Sequence, residues 1–308
     1  MARSSRNPHI SARDGVSPSC VALPGLKAGD QRWPGVIDFL DQRLPTVGRK
    51  VWAERLATGA VLDETGQAVP PDAPYRGNTR LYYYRALPDE KVVPFEATVI
   101  YQDAHLVVAD KPHFLPVTPG GRYVQQTLLV RLQRQLGLPR LAPLHRIDRE
   151  TAGLVLFSTR PESRDAYQRL FRERRIAKVY EALAPALPGR SFPLQHRSRL
   201  QKGEPFHCMR EEEGDPNSET LIDVLDRQGP VWRYRLVPES GRKHQLRVHM
   251  AALGAPILGD GFYPQLQDPP QGAAEPPLQL LAQVLAFDDP LTGQRRSFRS
   301  TRTLCVPG

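Results

Sequence analysis

Apolar positions along this 308-residue chain fall into short blocks whose period changes several times. Val36, Phe39 and Leu40, followed by Leu44, keep helical spacing, and a second helix is predicted over Arg49–Ala57. Gly59 to Asp63, the Thr65-Gly66 turn and Val69 read as a short hairpin, with Leu81–Tyr84 as another strand. The pattern then becomes denser. Thr98–Tyr101 and Leu106–Ala109 are apolar strands either side of a Gln-Asp turn, and Gln126–Leu136 is a helix with Leu129, Leu132 and Leu136 on one stripe. Gly153–Ser158 reads as a buried strand and Glu162–Arg174 as an amphipathic helix with Ala166, Leu170 and Phe171 inward. Strands follow at Lys178–Ala184, Thr220–Leu225 and Val231–Val237, then a helix over Lys243–Leu253 and a last strand at Leu281–Phe287. Strands in hairpin-like order, without βαβ periodicity, predict an α+β fold with a largely antiparallel mixed sheet.

These elements divide the chain. Residues 1–34, rich in Ser, Arg, Pro and Gly, read as a flexible basic tail, 35–87 as a small module, the Pro-bearing 88–97 as a linker and 98–308 as the main domain. Such a length can bury a core without disulfides, and Cys20, Cys208 and Cys305 are too scattered for a disulfide framework or zinc ribbon. No apolar run is long enough to span a membrane and the N-terminus lacks a secretory h-region, so a cytoplasmic protein is expected. Against 33 Asp and Glu stand 42 Lys and Arg, a formal net charge of +9, which favours a polyanionic partner. Charge alone does not separate a nucleic-acid protein from a basic enzyme of small anions.

Two clusters carry the candidate chemistry. His145, Arg146, Asp148, Arg149 and Glu150 crowd together and run directly into the apolar strand Gly153–Ser158. This arrangement can seat a carboxylate at the rim of a rigid sheet, although a plain charged turn would read the same way. The second is Glu239-Ser-Gly-Arg-Lys-His-Gln-Leu-Arg-Val-His-Met. Leu246, Met250 and Leu253 are expected inward, with Lys243, Arg247 and His244 on a polar face. A cation there could keep a nearby carboxylate ionised, and an ordinary basic surface helix is the bland alternative.

HRIDRETAGLVL resembles the HRLD-x-x-TSG motif of the RluA-like pseudouridine synthases, and GRKHQLRVHMAALGAPILGDGFY resembles their GR-x-HQ-[IL]-R-V-H block with its following GD-x-x-Y segment. Asp110-Lys-Pro-His-Phe-Leu-Pro-Val-Thr-Pro, Phe171 to Ala182 and Leu281 to Pro290 resemble further blocks in the family's order, so the resemblance spans about 98–300. Phe114 stands where the family usually has Gly, so that turn is expected to avoid a positive φ. Ala152 replaces the usual Ser and Gln283 the usual His.

The resemblance implies isomerisation of uridine to pseudouridine in large-subunit ribosomal RNA or transfer RNA, with the target base flipped out of its helix. It implies Asp148 as the catalytic carboxylate, Arg247 paired with it and Tyr180 against the flipped base. Arg146 would hold the flipped nucleotide or fill its place, Leu258 would wall the uracil pocket, and Arg149, Arg174, Lys178, Arg242 and His244 would meet RNA. Residues 35–87 weakly resemble the alpha-L RNA-binding module, with Arg43, Arg49, Lys50 and Arg55 available. RNA is the expected partner, with no cofactor, no metal, no membrane and no obligate protein partner, and a monomer is the default. The rival readings are an RNA-binding protein without activity, a hydrolase or acyltransferase using His145 and Asp148, and a kinase. The last two lack a nucleophile elbow and a Gly-rich loop.

Overall fold

A computed structural model describes residues 10, 13, 16, 18–27, 29, 32–85, 90–205, 208–227, 229–267 and 276–305. By internal contacts the chain forms two units, residues 1–90 with 121–125, and residues 91–120 with 126–308.

In the first unit β1 (Ser19–Leu23), β2 (Val61–Leu62) and β3 (Thr79–Tyr83) form an antiparallel sheet in the order β1-β3-β2. With it come α1 (Val36–Arg43) and α2 (Arg49–Ala57). Phe39, Leu40, Trp52, Leu56, Val61 and Leu81 close one core. The sequence places Ser19–Leu23 in a flexible tail, whereas the structure makes it an edge strand. The run is only five residues long, set in a Ser-, Pro- and Gly-rich stretch, and β3 provides the partner that makes it a strand. The expected tail residues 1–9 lie outside the described residues. Two of the module's cations are engaged locally, Arg49 with Asp38 at 2.7 Å and Arg55 over the Trp52 ring.

The second unit is built on β4 (Thr98–Gln102), β5 (Leu106–Lys111), α3 (Leu128–Leu136), β6 (Ala142–Pro143), β7 (Ala152–Ser158), α4 (Pro161–Arg172) and β8 (Ala177–Pro185). It continues with β9 (Leu194–Lys202), β10 (Met209–Glu212), β11 (Ser218–Asp226), β12 (Val231–Pro238), α5 (Gln245–Ala252), β13 (Leu280–Asp288) and β14 (Arg295–Arg299). One 11-stranded sheet runs β10-β9-β11-β12-β8-β13-β7-β5-β4, with β14 on β13 and β6 on β7. Every pairing is antiparallel except β13 with β7. The fold is therefore α+β with a mixed, largely antiparallel sheet.

The parallel junction positions the site. Ala282 of β13 faces Gly153 of β7 on one side and Tyr180 of β8 on the other. Gly153 has φ 111°, and a Cβ there would lie 2.3 Å from the Ala282 carbonyl oxygen. Only glycine allows the two strands to meet so closely. The row brings Tyr180 within reach of the loop that ends at Ala152, the loop that carries Asp148. Ala152 itself sits among Leu183, Leu281 and Leu304, where a hydroxyl would gain nothing.

Candidate active site

The site is assembled around Arg247, whose side chain is only 1% exposed. Its Nε and Nη2 donate to the two carboxylate oxygens of Asp260 at 2.8 and 2.6 Å. Its Nη1 lies 3.5 Å from Asp148 Oδ2 and 3.6 Å from Glu150 Oε2, and makes no hydrogen bond among the described residues. Burial opposes the guanidinium charge, but the bonds and charge of Asp260, backed by Asp148 and Glu150, more than offset it and raise the pKa. The bidentate partner of Arg247 is thus Asp260, and Asp148 is a second, longer ion-pair partner. Asp260 is fixed in turn by the backbone N–H groups of Phe262 and Tyr263. Gly259 before it has φ 73°, and a Cβ would come within 2.4 Å of the Pro277 carbonyl oxygen, so the GD pair of the sequence is a backbone requirement followed by a buried anchor.

The α5 helix is buried nearly all round, which corrects the expectation of a polar face. Its polar side chains are struts. Gln245 accepts from Ser240 Oγ and the Arg242 backbone N–H, and donates to the Glu219 carbonyl and Thr220 Oγ1. His249 bonds the hydroxyls of Ser198, Ser218 and Thr220. His196, Glu211 and His249 hold possible metal-ligand atoms within 4.8 Å of one another. Both His249 nitrogens are engaged by those hydroxyls, and His196 is bonded to Glu211 at 2.7 Å, so the group serves to tie α5 to its neighbouring strands.

His244 is buried at φ 55° just before α5. Burial, with the neighbouring Arg247 and Lys243 charges, holds its pKa down to about 3, so the ring is neutral. Tyr263 OH accepts from the Met209 N–H at 2.8 Å and lies 2.8 Å from His244 Nδ1. Nε2 faces Asp148 Oδ1 at 3.9 Å.

Three carboxylates surround Arg247, and they differ. Asp260 is fully buried and saturated with donors. Glu150 accepts from Arg149 Nε at 3.0 Å. Asp148 is the most open of the three, at 28% exposed, and both of its ion-pair distances exceed hydrogen-bond length. Tyr180 borders it. Burial, and secondarily the Asp148 charge, raise the Tyr180 pKa, so the phenol keeps its proton. Lys111, absent from the sequence-predicted site, is fully buried at the end of β5 and donates to the carbonyls of Pro112 and Arg149. Burial draws its pKa down to about 7 against the pull of Glu150 and Asp148.

The other sequence-predicted residues are spread more widely. His145 accepts from the Leu156 N–H and stacks on Phe171, so it braces the loop before Asp148. Arg146 is exposed. Arg149 lies over the Phe114 ring, and Leu258 packs on the Ala152 cluster with its N–H on the Leu183 carbonyl. Lys178 donates to Ser240 O, Arg242 Nε donates to Asn217 O, and Arg174 is exposed at φ 56°. Phe114 has φ 64°, contrary to the expectation that a non-glycine residue would avoid that region. The left-handed conformation costs a side chain about 1–2 kcal/mol. It is held because Leu115 and Val117 are buried and the carbonyls of Pro116 and Val117 accept from the first N–H groups of α3.

An open carboxylate flanked by a buried guanidinium and a protonated phenol suits chemistry at a sugar's anomeric carbon, where an anion must face developing positive charge. No helix among the described residues is long and apolar enough to cross a membrane. Residues 105–252 match the RNA pseudouridylate synthase family. A Synechocystis protein described as an uncharacterized RNA pseudouridine synthase is 31% identical over 230 residues, 74% of this chain and 79% of its own. The dual-specificity RNA pseudouridine synthase RluA of Pasteurella multocida is 37% identical over 208 residues, 65% of this chain and 90% of its own. Human RNA pseudouridylate synthase domain containing 4 superposes with a TM-score of 0.53 at 25% identity, covering 67% of this chain and 88% of that structure. The chain belongs to the RluA-like RNA pseudouridine synthases, isomerases that act on RNA.

Proposed function

We propose that Asp148 is the catalytic carboxylate of this isomerase and that its targets are specific uridines in ribosomal or transfer RNA. One observation carries the assignment of Asp148. Of the carboxylates around Arg247 it alone is both partly open and free of a short ion pair, so it can approach a nucleotide while Arg247 keeps it ionised. In the reaction the bond from the sugar C1′ to uracil N1 breaks, the base turns, and a bond from C1′ to C5 forms. The C5 proton leaves and N1 ends protonated, so the sum is an isomerisation. Asp148 either attacks C1′ or removes the 2′ proton.

Tyr180 keeps its proton, so it serves as an apolar face and hydrogen-bond donor to the base, and the C5 proton passes to a carboxylate. Arg247 supplies positive potential beside Asp148, and the neutral His244 ring lies against the carboxylate's other oxygen. Extruding the uridine costs a few kcal/mol of stacking, and Arg146, exposed two residues before Asp148, would substitute for it in the RNA. The chain acts as a monomer in the cytoplasm, and the exposed cations of 169–175 add salt-dependent affinity.

Purified protein incubated with transcribed ribosomal and transfer RNAs tests this, with pseudouridine read by carbodiimide adducts and primer extension. New stops with wild type and none with Asp148→Asn support the reading. Stops of equal strength with Asp148→Asn would remove that residue from catalysis.

A further inference from the structure

We propose that Phe114 and Phe95 form a stacking platform for an unpaired base of the RNA lying next to the reacting uridine. The inference rests on the reading that places the reaction at Asp148. The two rings lie 6.0 Å apart and are tilted by 33°, and His113 adds a third ring 6.3 Å from Phe114. Phe95 is 44% exposed, so the ring pair presents apolar surface to solvent on a protein of net charge +9. The patch adjoins the site directly. The guanidinium of Arg149, the residue after Asp148, sits 5.6 Å from the Phe114 ring centroid, and His113 Nδ1 lies 2.6 Å from the Glu150 carbonyl oxygen.

The platform is also stiff. Arg131 of α3 donates to the carbonyls of Val93 and Phe95, and Val93 is buried. Phe114 precedes the fixed turn residues described above, in a backbone conformation that glycine would adopt more easily. A bulky aromatic kept at such a position is a local cost of the kind found at binding sites. Every base has a π-face, and a ring pair flanked by a guanidinium offers it stacking on one side and charge for the adjoining phosphate on the other.

The test uses the full chain and a fluorescein-labelled single-stranded RNA 12-mer of mixed sequence, titrated by anisotropy at several salt concentrations. Phe114→Gly suits the positive φ and Phe95→Ala alters an exposed side chain, so both variants fold. Each should weaken binding by about 5- to 150-fold, the range for losing one stacked base, while the slope of log Kd against log salt stays that of wild type. Phe95→Trp should restore affinity. Unchanged Kd in both variants would overturn the proposal, as would a loss accompanied by a shallower salt slope, since the rings would then act only by holding Arg149. A wild-type enzyme that binds this RNA through the rings yet forms no pseudouridine would refute the catalytic reading while leaving the stacking result standing.

Discussion

Replacing Lys111 with methionine should flatten the pH dependence of stability on the alkaline side of neutrality. The lysine is wholly enclosed, with its Nζ 2.9 Å from the Pro112 carbonyl oxygen and 3.1 Å from that of Arg149. Its pKa is drawn from 10.5 to about 7 in the folded protein. Stability rises with pH wherever the unfolded chain holds more protons than the folded one. Between pH 7 and pH 9 the unfolded lysine is charged and the folded one mostly neutral, so wild-type stability climbs. Its contribution is complete above the unfolded pKa and is lost as pH falls through 7. Integrated over pH 7 to 9, the climb is about 2 kcal/mol. Methionine removes the titration and leaves two carbonyls unpaired, costs that do not vary with pH, so the slope is the readout rather than the absolute stability. Urea unfolding of both proteins at pH 7, 8 and 9 measures it. Parallel curves for the two proteins would show that Lys111 titrates at its ordinary pKa and that the burial argument fails.

Asp260→Asn leaves the Arg247 guanidinium buried without its bidentate partner, and urea melts should show a loss of about 3–5 kcal/mol. Gly153→Ala forces a methyl into the Ala282 carbonyl and should abolish soluble expression or cooperative unfolding, whereas Gly241→Ala, where a Cβ meets nothing within 4 Å, should unfold like wild type. Because burial keeps His244 neutral with a pKa of about 3, His244→Gln should leave the shape of the pH–rate profile between pH 5 and 8 unchanged.

Most elements of the second unit are legible from periodicity, because β5 and β7 bury every side chain and α4 keeps one apolar stripe. The strands β9, β10 and β14 are not, since Leu-Gln-His-Arg-Ser-Arg-Leu-Gln-Lys and Arg-Arg-Ser-Phe-Arg are largely polar and become strands only by pairing. At the site, sequence motifs direct attention to Asp148, Tyr180 and Arg247, but which carboxylate Arg247 clamps is a tertiary fact. Asp260 and Lys111 lie in the quoted ILGD and Asp-Lys-Pro blocks, and the signal for them was a charge set inside apolar sequence. Phe114 shows the reverse. A residue rule forbids its φ, and the buried residues after it in the turn impose it.

If Asp148 carries out uridine isomerisation in a defined cellular RNA, its loss must show in that RNA. Pseudouridine mapping of total RNA from cells lacking the gene, complemented with wild type or Asp148→Asn, tests it most directly. One or a few sites in ribosomal or transfer RNA should be missing, restored by wild type and not by Asp148→Asn. Restoration by Asp148→Asn would contradict it.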